Sequence, residues 1–188
     1  MKINGNQIRP GMVLEHQGRL WRVAKISHTQ PGKGGAYTQA EMKDIVSGTK
    51  LNERFRSSET VERARLEQVE MQFLYDDGDT LNFMNNQNYE QVSLAYDMVG
   101  DAKVWLQENM NVQIEFYEDK PIGIELPEKI VMEITEAEAT VKGQTQSSSF
   151  KPAVVENGET VMVPQFISSG ERIVVNTTDG SYVERAKA

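Results

Sequence analysis

The chain has 188 residues, a formal charge of −8, no cysteine, two histidines and 38% hydrophobic residues. Lack of cysteine removes disulfides, thiolate zinc sites and thiol nucleophiles. No apolar stretch follows Met1-Lys2-Ile3, and none approaches the ~18 residues that span a bilayer. A soluble, cytoplasmic, non-exported protein of one to three compact domains is expected, with no membrane partner. The charge is uneven, with a net +5 over residues 1–64, −11 over 65–128 and −2 over 129–188. A basic first third suits a phosphate-rich surface, but solvated faces explain the same numbers.

In residues 1–64, Gly11–His16, the turn Gln17-Gly18 and Arg19–Ile26 predict a hairpin. Ala36–Val46 and Leu51–Arg56 read as further strands, which makes a small antiparallel barrel of the SH3-like kind. Its most exposed hairpin is expected at residues 27–35, where Pro31-Gly32-Lys33-Gly34-Gly35 holds one lysine between glycines. Pro31 restricts the entry and the glycines remove neighbouring side chains, so a lone ammonium on a slim backbone could enter a crowded site. A phosphate-cradling loop requires Gly-Lys-Ser/Thr before a helix. Here Gly34 follows Lys33 and a strand follows the loop. A hairpin tip carrying lysine only for solubility stays open on these residues alone.

In residues 65–128, Val69, Met71, Phe73 and Tyr75 alternate, and Asp76-Asp77-Gly78-Asp79 turns into Leu81–Met84. The acidic turn lacks the ligand order of a calcium loop. Val92, Ala95, Tyr96 and Val99 fall at helical spacing, and Asp101 caps a second short helix with Val104, Trp105 and Leu106. Val112–Phe116 and Ile122–Leu126 then alternate around Glu118–Pro121. Strands around a short helical insert suit a five-stranded OB-type barrel, its Tyr and Phe residues mostly in core phase. Its acidity suits a generic single-strand binder poorly.

Residues 129–188 read as a second OB-type barrel. Ile130, Met132 and Ile134 alternate, Gly143–Ser149 is loop-like, Val161–Ile167 and Glu171–Val175 are strands, and Asp179-Gly180 turns into Ser181–Arg185. The expected class is therefore all-β, with three barrels at 1–64, 65–128 and 129–188.

Lys151-Pro152-Ala153, Gly158, Val161, Val163-Pro164, Ile167 and Gly170 resemble the signature of the bacterial elongation factor P family. Pro31-Gly32-Lys33-Gly34 resembles that family's modified loop, and Phe83-Met84-Asn85-Asn86 a run of its middle domain. The resemblance covers essentially the whole chain. It implies an SH3-like, KOW-type domain followed by two OB domains in an L-shaped, tRNA-like arrangement. It also implies a translation factor that binds the ribosome between the P and E sites, touches peptidyl-tRNA and relieves stalling at consecutive prolines.

Lys33 matches the lysine that receives a lysine-derived or related extension from a modifying enzyme; the eukaryotic and archaeal counterpart carries hypusine there. Pro31, Gly32, Gly34 and Gly35 support it. Tyr182 and Arg185 match terminal-domain residues that engage ribosome or tRNA, and His28, beside the loop, is a further candidate RNA contact. The chain departs from many relatives at Gln144, where an aspartate is common, and at Gly35, where a bulkier residue is common. A monomer is expected, with no cofactor and no metal.

Such a factor needs no acid, base or nucleophile. Proline's ring restrains the backbone and misaligns the reacting ends. Holding the end of the P-site tRNA in place limits unproductive arrangements, and each tenfold gain requires about 1.4 kcal/mol. Ser27 to Lys33 can extend at most roughly 20 Å from a barrel. Two other readings remain at this point. A general RNA-binding OB protein would bind single strands through surface aromatics. An enzyme using Lys33 as nucleophile or phosphate ligand would need a buried lysine, and glycines give no burial. Neither His16 nor His28 is accompanied like a metal or triad set.

Overall fold

The computed structural model describes residues 1–139 and 150–187. Gln144 and the loop expected at Gly143–Ser149 lie outside the described residues. The chain forms two compact units, 1–69 with 115–123, and 70–114 with 124–188. No helix among the described residues is long and apolar enough to cross a membrane.

The first sheet is built from β1 (Lys2–Asn4), β2 (Val13–His16), β3 (Arg19–Thr29), β4 (Tyr37–Asp44), β5 (Lys50–Arg56) and β6 (Thr60–Arg63). Its order is β1-β6-β2-β3-β4-β5, with antiparallel pairing throughout. Period-two alternation turns Trp21, Val23, Ala40, Met42 and Phe55 inward around Ile8 and Leu14. The buried Trp21 ring keeps its polar end satisfied by donating from Nε1 to the His16 carbonyl at 3.0 Å.

The second sheet contains β7 (Glu67–Asp76), β8 (Thr80–Met84), β9 (Gln91–Ala95), β10 (Asn111–Tyr117) and β11 (Lys120–Glu125), in the order β11-β10-β7-β8-β9. Helix α1 (Tyr96–Val99) follows β9 and leads into a 3-10 turn at Gly100–Trp105. The third sheet has β12 (Lys129–Ala137), β13 (Phe150–Val155), β14 (Thr160–Pro164), β15 (Arg172–Asn176) and β16 (Tyr182–Arg185), in the order β14-β13-β12-β15-β16. Its core joins Ile130, Met132, Ile134, Val161, Val163, Ile167 and Val175. The all-β class predicted from alternation is the one observed.

Four local expectations are corrected. Val92 and Ala95 belong to strand β9, and the α-helix begins only at Tyr96; strand pairing with β8 overrides a weak helical spacing. Tyr75 is 54% exposed rather than core, because a register shift between Phe73 and Tyr75 reverses the side-chain phase. The predicted strand at Val161–Ile167 stops at Pro164, leaving Phe166 exposed while Ile167 returns to the core. The hairpin expected to open at Ser27 stays paired through Thr29.

Candidate functional site: the Lys33 hairpin

Strand β3 carries the site. Ser27, His28 and Thr29 continue its ladder and pair with Gln39, Thr38 and Tyr37 of β4. The unpaired tip therefore begins at Gln30, not at Ser27. Lys33 and all three glycines beside it are exposed, while Pro31 is half-buried. Gly34 has φ +109°, a backbone state that side chains rarely adopt, so glycine there shapes the tip. A Cβ on Gly32 or Gly35 would meet nothing within 4 Å, so those two keep the tip thin without being needed for its conformation. At the C-terminal end of the tip, Ser57 N–H donates to the Ala36 carbonyl at 3.0 Å.

Below the tip lies a basic sheet face. Arg54 and Arg56 on β5 point outward on either side of the buried Phe55, and they pair with Gln39 and Tyr37. The Arg54 guanidinium covers the Tyr37 ring at 4.1 Å from its centroid, a cation–π contact that holds the side chain flat on the sheet. Lys25 on β3 and Lys43 on β4 fall in the same outward phase. This face was missed from sequence, although Arg-Phe-Arg alternation at 54–56 is its signal. His28 is exposed, and its Nδ1 lies 3.1 Å from the hydroxyl of the fully buried Thr38. That leaves Nε2 as the outward-facing nitrogen beside the tip.

Tyr182 and Arg185 lie in the other unit, on β16. Tyr182 packs against the third sheet's core. Arg185 pairs with Glu171 at 3.0 Å and lies 4.7 Å above the Phe166 ring. His16 contacts Glu53 at 3.3 Å and the edge of Phe55, within the barrel. The acidic turn is occupied internally: Asp77 accepts from the Thr80 and Asp79 N–H groups, which hold its carboxyl far below the ordinary range. Among the described residues no group of three or more His, Asp or Glu side chains could hold a metal ion.

Three family models match in succession. "Elongation factor P (EF-P) KOW-like domain" matches residues 4–61, "Elongation factor P (EF-P) OB domain" 66–124 and "Elongation factor P, C-terminal" 130–185. The chain belongs to the elongation factor P family. Elongation factor P from Parvibaculum lavamentivorans is 58% identical over 186 residues, covering 99% of this chain and all of the relative. Its Brucella canis counterpart is 56% identical over the same length and the same coverage. A solved structure titled eukaryotic translation initiation factor 5A from Methanococcus jannaschii covers 66% of this chain and 95% of its own at 21% identity, with a TM-score of 0.48.

The first sheet of this elongation factor P relative is thus KOW-like and the second an OB domain. The residues that carry the family resemblance in the third sheet build its fold. Ala153, Val161, Val163 and Ile167 are core, and Gly158 and Gly170 take φ of +87° and +89° in turns. Lys151, 5% exposed, donates from Nζ to the Glu138 carbonyl at 2.5 Å.

Proposed function

We propose that this elongation factor binds the ribosome between the P and E sites, contacts peptidyl-tRNA and stimulates peptide-bond formation at consecutive prolines. Its three domains are 1–64, 65–128 and 129–188, and it works as a cytoplasmic monomer. Lys33, extended by a modifying enzyme, reaches toward the peptidyl-transferase centre and acts by position and contact rather than as acid, base or nucleophile. Pro31, Gly32, Gly34 and Gly35 keep the tip thin enough to enter. His28 contacts RNA beside the tip, and Tyr182 and Arg185 do so on the last domain.

The observation that carries this reading is the exposed, glycine-flanked Lys33 at the end of the paired β3–β4 hairpin. The face bearing Lys25, Arg54 and Arg56 supports it by matching a phosphate backbone. Ordering a tRNA terminus against a rigid tip lowers the orientational part of the barrier, which is the part that proline raises.

A reconstituted translation assay on messages with and without a Pro-Pro-Pro run tests it. Wild type accelerates only the proline message, and Lys33→Ala loses that acceleration. Equal rescue by both proteins would overturn the reading. Intact mass of natively purified protein shows whether Lys33 is extended.

A further inference from the structure

Residues 115–123, the end of the β10–β11 hairpin, belong to the unit that carries Lys33, and three ties hold them there. Arg22 of β3 donates from Nη2 to Glu115 Oε1 at 3.3 Å and from Nη1 to the Gly11 carbonyl at 3.1 Å. The Tyr117 hydroxyl donates to the Glu15 carboxylate on β2. Ile122 is buried with Val13 and Ala64. Gly123 closes the arrangement: a Cβ there would lie 2.7 Å from Arg22 Nη2 and 3.0 Å from Glu115 Oε1. Gly123 is not among the glycines with positive φ, so close approach of the two charged heads explains the glycine, not backbone freedom.

We propose that Arg22, Glu115 and Gly123 form a positioning clamp that sets the direction of the Lys33 hairpin. This rests on the reading of Lys33 as the working tip. The argument is a lever. From Arg22 to Thr29 the strand rises roughly 24 Å at about 3.4 Å per residue. A register shift between Val23 and Lys25 bends it just beyond the clamp. A swing of about 10° at the root would move the tip about 4 Å, and errors of ~1 Å in placement can cost ~100-fold in rate.

The ion pair is partly exposed, with Arg22 at 33% and Glu115 at 13%, and such pairs contribute little to global stability. Direction of the tip, rather than folding, is what the clamp controls. Glu15 and Tyr117 reinforce it from β2, where the carboxylate pushes the phenol up to about 12 and keeps it a donor.

The test uses the full chain, whose lack of cysteine permits clean labelling. Spin labels at Lys33→Cys and Lys120→Cys report the tip's position against the hairpin by pulsed electron resonance. Glu115→Gln keeps the side chain's shape, and Gly123→Ala crowds the pair. Each is expected to broaden or shift the distance distribution by several ångström. In unlabelled protein each lowers the maximal rate on the Pro-Pro-Pro message at least about tenfold. The half-saturating factor concentration stays within twofold, and the melting temperature within a few degrees.

An unchanged distance distribution, or an unchanged maximal rate, in folded Glu115→Gln overturns the clamp. If Gly123→Ala melts early, Glu115→Gln and the double change Arg22→Gln with Glu115→Gln decide, the double being no worse than either single. Lys33→Ala run alongside separates the two ideas. If it rescues fully, the tip reading fails, and the distance measurement still judges the clamp.

Discussion

Arg54 lies over the ring of Tyr37, and Arg56 faces the same tyrosine across the β4–β5 pair. An aromatic ring that holds one guanidinium flat and neighbours a second makes an ordered basic strip leading to the Lys33 tip. If the strip meets phosphates, binding releases counterions. Arg54→Gln and Arg56→Gln should each reduce the log–log salt slope of ribosome binding by about 0.7–0.9. Titrations between low and physiological potassium chloride measure it; an unchanged slope would remove the strip from the interface.

The two glycines after Lys33 should respond differently to the same substitution. Gly34→Ala forces a side chain onto φ +109°, which costs on the order of 1–2 kcal/mol. The tip should reshape rather than the barrel unfold, with proline rescue lost and the melting temperature little moved. Gly35→Ala has open space and no positive φ, so the tip should keep its conformation and rescue should fall less than in Gly34→Ala. Comparable losses in both variants would show that thinness, not conformation, matters at Gly34.

Asp44 gives a pH dependence with a definite sign. Its side chain is 5% exposed. The Ser47 N–H is the largest influence on its carboxyl, and with the Val46 N–H and Arg19 it outweighs burial and holds the group below 3.8. A depressed folded value means this stabilisation is present above about pH 4 and is lost as pH falls through the folded value. Thermal melts from neutral to acid pH should decline less steeply for Asp44→Asn than for wild type. Asp44→Asn should itself cost about 1 kcal/mol at neutral pH. Parallel curves would assign the acid sensitivity to other carboxylates.

Gly5 is required for close packing. A Cβ there would sit 2.2 Å from the Arg56 carbonyl oxygen, and backbone cannot step aside as a flexible side chain can. Gly5→Ala should destabilise the first barrel by about 1–3 kcal/mol, read as a lower denaturant midpoint. Full stability would mean that the 3-10 turn at Gly5–Gln7 shifts freely.

Much of the fold was legible because period-two alternation depends only on neighbouring residues and on which face is buried. The alternating runs of Met71 and Phe73, of Val112 and Ile114, and of Ile130, Met132 and Ile134 declare themselves in this way, and all seven are buried. The exposed, thin tip around Lys33 was legible for a similar local reason, since glycines mark thin backbone wherever they stand. Tyr75 was misread because a bulge reverses side-chain phase without changing composition.

Local pattern thus settles the all-β class, the core phase of the alternating runs and the solitary lysine between glycines. Long-range packing sets the rest: pairing continues to Thr29, Arg54 and Arg56 share a face with Lys25, and Glu115 meets Arg22 across 93 residues. Those relations arise from register and from contacts between distant segments, which no local window of the chain encodes.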